Sequence, residues 1–139
     1  MLLLLACGGT RPHGASAGSE AVAVAADPRM QARWEQVCRA VGPAISGRAE
    51  RALAEGGEER LHAILDAGRR YLVLAVGAEG TVLRLSVEDE HGRALAAVEG
   101  LASGGLSVPL APRWTGPFLV RVRALRGGGL CGVQIFLAP

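Results

Sequence analysis

The stretch LDAGRRYLVLAVGAEGTVLRLSVEDEHG, residues 65–92, decides the fold. Tyr71 to Val76 is a continuous apolar run of a length suited to a buried strand. Leu83, Leu85 and Val87 then alternate with Arg84, Ser86 and Glu88, the period-two pattern of a strand with one face in a core and one in water. Ala67-Gly68 and Asp89-Glu90-His91-Gly92 are turn signals that bound the pair.

The same grammar continues outward. Upstream, Leu61, Ala63 and Leu65 alternate with Arg60, His62 and Ile64. Downstream, Ala94 to Val98 follows the acidic turn, and Leu106, Val108 and Leu110 share a face after Gly104-Gly105. Pro109 within that run suits an edge strand, because proline cannot donate to a ladder. Phe118, Val120 and Val122 alternate with Leu119, Arg121 and Arg123, and Val133, Ile135 and Leu137 close the chain. About seven or eight short strands with turns between them predict a mainly β antiparallel sandwich. The lack of long alternating helices argues against a parallel α/β sheet.

One helix is expected before the strands. Asp27-Pro28 is a start signal, Met30, Trp34, Val37, Cys38 and Val41 recur at spacings of three and four, and Gly42-Pro43 is a stop. A helix over residues 28–42 is marginal alone in water, so its apolar stripe must lie on something, and the strand that Cys131 introduces is the expected surface. Residues 44–57 admit two readings, since Arg48 to Glu55 contains good helix formers while Gly56-Gly57 suits a hairpin turn.

At the N-terminus, Leu4-Leu5-Ala6-Cys7 resembles a bacterial lipobox, in which an acylated cysteine becomes the mature first residue. Residues 1–7 are too short for a secretory signal and lack its charged region, so the true start is expected upstream. Residues 8–27 are small, polar or alanine-rich and read as a tether. Gly14-Ala15-Ser16-Ala17-Gly18 matches a nucleophile elbow in letters only, because no strand precedes it and no helix follows.

Three cysteines leave one unpaired in an oxidising compartment. If Cys7 carries the lipid, Cys38 and Cys131 remain as a disulfide pair. Two cysteines without a CxxC or paired histidine do not make a zinc site.

The rest of the composition narrows the chemistry. The chain has 139 residues, one domain's worth, and a core short of rings, since aromatic residues are 4%. All 15 basic residues are arginine and the formal net charge is +2, too small and dispersed to argue for nucleic acid. Glu88-Asp89-Glu90 falls short of the six to eight oxygens a calcium site takes, roughly, and reads as a solvated turn. His13, His62 and His91 have no partner at a catalytic or metal spacing, and no Ser-His-Asp or Cys-His arrangement is visible.

Two features could bind. Arg84, Arg121 and Arg123 fall on the solvent side of their strands and would form a basic stripe if those strands are neighbours. Trp114, in the loop Pro112-Arg113-Trp114-Thr115-Gly116-Pro117, could anchor a partner, stack on a sugar, or cap the end of the core.

Residues Leu65 to Leu74, Leu83 to Gly92 and Trp114 to Val122 together resemble the bacterial pre-peptidase C-terminal domain and its jelly-roll relatives, whose patterns are an "aG.Y" turn, an acidic "d.dG" turn and a late "G.y.v.V" strand. The resemblance covers residues 47–139, implies a jelly-roll-like β-sandwich, and favours a strand within 44–57. Thr81-Val82 stands where the family usually has an aspartate, which counts against the calcium site that some relatives carry.

The expectation is therefore a lipid-anchored cell-envelope protein, on the periplasmic face of an outer membrane, with one amphipathic helix on the sandwich. It is expected to be non-catalytic and cofactor-free, binding or scaffolding an envelope protein, with a glycan-binding module as the alternative and a small hydrolase a more distant one.

Overall fold

The computed structural model describes residues 28–138; Cys7, the tether and His13 lie outside them. Among the described residues one helix, α1 (Pro28–Cys38), precedes eight strands: β1 (Ala49–Leu53), β2 (Glu58–Leu65), β3 (Tyr71–Gly77), β4 (Val82–Glu88), β5 (Ala94–Leu101), β6 (Leu106–Leu110), β7 (Gly116–Arg126) and β8 (Gly129–Leu137). A 3-10 turn, η1 (Ala102–Gly104), joins β5 to β6.

The strands form two antiparallel sheets of order β1-β8-β3-β6 and β2-β7-β4-β5. Strands consecutive in sequence mostly lie in opposite sheets, so the chain crosses the sandwich repeatedly; this interleaved order is that of a jelly roll. The mainly β sandwich expected from strand periodicity is the fold observed.

Residues 44–57 contain strand β1, yet Gly56-Gly57 does not close a hairpin. The Gly57 N–H donates to the Ala54 carbonyl at 2.7 Å, and the turn carries the chain from one sheet to the other. Gly56 has φ +87°, a conformation that glycine adopts without a Cβ clash.

Between the sheets, the inward residues of every strand interlock. Tyr71, Val73 and Ala75 from β3 meet Leu83, Leu85 and Val87 from β4, Phe118, Val120 and Val122 from β7, and Cys131, Val133 and Ile135 from β8. A second apolar cluster lies on the outer face of the β8–β3 pair, where Trp34 and Cys38 of α1 cover Leu74, Val76 and Phe136. This explains the unbroken apolar run of β3, which is buried from above by the opposite sheet and from below by the helix.

The helix ends at Cys38, short of Gly42-Pro43. Beyond it the backbone is recruited by β8: the Leu137 N–H donates to the Pro43 carbonyl at 2.9 Å and the Ile45 N–H to the Ile135 carbonyl at 2.9 Å. A side chain at Gly42 would run into the Leu137 carbonyl, so glycine permits this approach.

The expected Cys38–Cys131 disulfide is not formed, since Cys131 is a free, buried thiol. The helix lies chiefly on β3, with Phe136 of β8 in the same apolar cluster, and side chains alternate across a strand. Phe136 faces the helix, whereas Cys131 shares the inner face with Val133 and Ile135. The two cysteines therefore sit on opposite sides of one sheet.

The inner face around Cys131 leaves no room for another side chain. A Cβ at Gly77 would lie 2.8 Å from the Ala102 Cβ and 3.1 Å from Cys131 Sγ. Gly77→Ala should destabilise by about 1–3 kcal/mol in urea unfolding through overpacking, while Gly47→Ala, with nothing within 4 Å, should be close to neutral. Burial, and secondarily the charge of Glu59, pushes the Cys131 thiol up from 9.0 to about 11. The unfolded chain then loses this proton first, so stability should fall as pH rises from 9 towards 11. The part of that fall due to the thiol should vanish in Cys131→Ala, measured as the urea midpoint against pH.

Candidate functional site

The predicted arginine stripe is assembled by the topology. Arg84 of β4 stands opposite Arg123 of β7, and Arg121 of β7 opposite Arg60 of β2, all on the outer face of the β2-β7-β4-β5 sheet. It is not a free basic surface. Arg84 Nη1 donates to Glu99 Oε2 at 2.8 Å, and Arg121 lies 3.5 Å from Glu88 and 3.6 Å from Glu58. Arg60 Nε donates to Glu58 Oε2 at 2.7 Å. The Arg60 hydrogen bond, then the charge of Arg121, holds the Glu58 carboxyl below the usual carboxylate range.

Exposed pairs of this kind contribute about 0–1 kcal/mol each, so their main consequence is charge cancellation. The spacing of the arginines does not reveal these acidic partners, because cross-strand pairing depends on register. The face is a mixed-charge lattice.

The Trp114 end of the sandwich differs. Strands running in alternate directions bring the β2–β3, β4–β5 and β6–β7 loops together there. The Ala67 N–H donates to Thr115 Oγ1 at 2.8 Å, and the Gly68 N–H to the Pro112 carbonyl at 3.4 Å, binding the first loop to the third. The Asp66 N–H donates to the Tyr71 hydroxyl at 2.9 Å, which is what the tyrosine of the "aG.Y" pattern does in this chain.

Asp89 builds the remaining loop. Its Oδ1 accepts from the Arg93 N–H at 2.9 Å and the His91 N–H at 2.8 Å, and these bonds hold its carboxyl below the usual range. Glu88 faces Arg121, and Glu90 lies beside His91 at 3.9 Å. The three acidic residues thus diverge, and among the described residues no group of three or more His, Cys, Asp or Glu comes together as a metal site. His62 lies on the outer sheet face, away from His91 in the turn.

Trp114 stacks on Phe118, with ring centroids 5.8 Å apart and planes 27° from parallel. Phe118 is buried in the core, while Trp114 keeps 39% of its surface exposed. It therefore caps the core with one side and meets solvent with the rest. Among the described aromatic residues it alone is exposed; Trp34, Tyr71, Phe118 and Phe136 are buried.

Sequence reasoning missed the cations at this end of the sandwich. Arg69 and Arg70 in the β2–β3 loop, Arg93 in the β4–β5 loop and Arg113 beside Trp114 are all exposed. Among the described residues none of the four forms an ion pair within 4 Å. The Arg69-Arg70 doublet is visible in the sequence, but its placement at the Trp114 end depends on a jelly roll putting alternate loops at one end.

No family model matches the chain, and no curated protein matches it. Solved structures do. The chain is similar to the pre-peptidase C-terminal domain of a Bacillus anthracis collagenase, with TM-score 0.54 and 10% identity over 63% of this chain and 86% of that one. It is similar to CorA, a surface-associated copper-binding protein of Methylomicrobium album BG8, with TM-score 0.51 and 9% identity over 68% and 98%. A third similar structure is the Yersinia pseudotuberculosis-derived mitogen, with TM-score 0.51 and 7% identity over 66% and 84%. At these identities the likeness is one of fold, a β-sandwich like that of the pre-peptidase C-terminal domain that the three sequence patterns resemble.

Proposed function

We propose that this protein is a non-catalytic binding module of the cell envelope, anchored by a lipid on Cys7, that takes an acidic partner protein at its Trp114 end. The observation that carries the reading is the contrast between two arginine sets. Arg84 and Arg121 on the sheet face are matched by Glu99, Glu58 and Glu88, with Arg123 making no ion pair within 4 Å, whereas none of Arg69, Arg70, Arg93 and Arg113, in the loops at the Trp114 end, has an ion-pairing carboxylate among the described residues. Unpaired cations at the end that carries a rigid, partly exposed ring favour a partner that brings both acid and an apolar anchor. A glycan platform built on a sheet face would want further exposed rings, and Trp114 is the exposed one among the described residues.

Tryptophan fluorescence provides the first test, with soluble polyglutamate as the acidic polypeptide probe and polygalacturonate as the acidic glycan probe. Polyglutamate should give a saturable change that weakens with salt. The triple variant Arg69→Ser, Arg70→Ser, Arg113→Ser should weaken it by roughly tenfold or more, and the pair Arg84→Ser, Arg123→Ser should leave it nearly unchanged. Equal loss in both variants would overturn the site, and a response to polygalacturonate alone would replace the protein partner by a glycan.

The lipid anchor rests on the sequence Leu4-Leu5-Ala6-Cys7. Expressed in a bacterial host with its native upstream region, the protein should show a mass cut before Cys7 with acyl chains added. An uncleaved, unacylated mass would remove the anchor and the envelope location with it.

A further inference from the structure

We propose that one ordered water molecule is bound beneath α1, accepting a hydrogen bond from the Trp34 indole N–H and donating one to Gln134 Oε1, and that it fastens the helix to the sheet. Both side chains are shut away from solvent, Trp34 at 1% exposure and Gln134 at 0%. Neither Trp34 Nε1 nor Gln134 Oε1 has a hydrogen-bond partner among the described residues. A buried polar group without a partner is strongly disfavoured, and nearly all such groups in native proteins are matched by protein or by water.

The two atoms belong to one layer. Leu74 of β3 lies in the Trp34 cluster, and Gln134 is its cross-strand neighbour on β8, so the amide stands on the face that the helix covers. Phe136, two residues on and on the same face, lies in that cluster too. From the other side, Ala49 pairs with Val133, which brings Arg48 alongside Gln134, and the Arg48 guanidinium carbon is 4.8 Å from the Trp34 ring centroid. The orientation of the amide is fixed as well. Gln134 Nε2 donates to the Ser46 carbonyl at 2.9 Å, and a carbonyl cannot accept from Oε1, so the flipped amide is excluded.

The chemistry of the two groups identifies the occupant. The indole N–H only donates and the amide oxygen only accepts, so whatever joins them must accept one hydrogen bond and donate another. A metal or ammonium cation cannot accept, and a carboxylate cannot donate. Burial on all sides limits the occupant to something small, and water meets both conditions. The bridge also accounts for two residues that apolar packing alone does not: a glutamine beside Leu74 and Phe136 at zero exposure, and a helix side chain with an N–H at its rim.

The test is NMR of the full chain with isotope-labelled tryptophan, Trp34→Phe assigning the two indole signals. The Trp34 indole proton should show cross-peaks to water with NOE and ROE of opposite sign, the mark of a water that tumbles with the protein, while the exposed Trp114 indole reports ordinary hydration. In Gln134→Met, with folding confirmed by circular dichroism, the Trp34 cross-peak should be lost. Urea unfolding supplies a second measure. Trp34→Phe and Gln134→Met should each raise the unfolding constant, and the double variant should fall short of the product of the two effects by about threefold or more, since removing either anchor already breaks the bridge. The Ser46 hydrogen bond is lost in both Gln134→Met arms of this cycle and cancels. A wild-type Trp34 proton without a bound-water cross-peak, a cross-peak that survives Gln134→Met, or effects that simply multiply would each overturn the proposal. The wild-type spectrum needs no variant beyond the assignment, so it decides even if Gln134→Met fails to fold.

Discussion

The alternation of side chains across the β8–β3 pair is the constraint on which the rest of the molecule depends. Each strand in this pair has one face in the inter-sheet core and the other under α1. Both faces must be apolar, so β3 reads YLVLAVG without interruption, and Gln134 of β8 is tolerated at zero exposure with its Nε2 donating to the Ser46 carbonyl at 2.9 Å. A shift of one residue would exchange Cys131, Val133 and Ile135 for Leu130 and Phe136, moving core residues under the helix and helix contacts into the core. The cost of such an exchange fixes the register, and the register fixes the two sheets.

The helix is held to this outer face by Trp34. Buried to 1%, it lies under the Arg48 guanidinium, whose carbon is 4.8 Å from the ring centroid, and Arg48 Nε donates to Glu50 Oε2 at 2.6 Å. Burial pushes the Arg48 pKa down, while Glu50 and Glu35 act against it by favouring the cation. A charge taken this far from water costs free energy unless it is paired. The Glu50 contact therefore keeps the arginine usable as a lid, and the lid keeps an 11-residue helix, too short to persist alone, in place.

Much of this is legible from spacing because a sandwich writes itself into sequence as period-two runs. Every strand from β2 onward falls on a run that the periodicity marks, and Pro109 does lie on an edge. What local pattern cannot supply is which strands are neighbours and which face a covering element takes. Spacing puts Cys131 on the right strand, but cysteine counting pairs it with Cys38 across the wrong face, since the helix stripe carries no information about the phase of β8. Arg84, Arg121 and Arg123 do come together, yet as a basic stripe they are overestimated, because Glu58, Glu88 and Glu99 become partners only through cross-strand register. The cations at the loop end are spread over three segments that only the fold joins, so no local window contains them.

Charge in this chain is thus distributed by a rule that composition hides. With arginine as its sole strong cation and a net charge of +2, the sequence looks dispersed. In the fold, Arg60, Arg84 and Arg121 of the sheet face are paired with Glu58, Glu99 and Glu88, and the gap between the two sheets at the β1–β2 side is bridged by Arg51 and Glu59 at 3.3 Å. Where the loops converge, Arg69, Arg70, Arg93 and Arg113 share the segments with Asp66, Asp89 and Glu90 and make no ion pair within 4 Å among the described residues. Sheet surfaces that must avoid unwanted pairing benefit from cancelled, hydrated charge. The recognition end proposed for the loops would benefit from the opposite, since unpaired cations project a field that steers an acidic partner before contact and give up little existing pairing when it binds. What separates Arg84 and Arg121 from the unpaired arginines of the loops is that cross-strand register supplies each of them a glutamate.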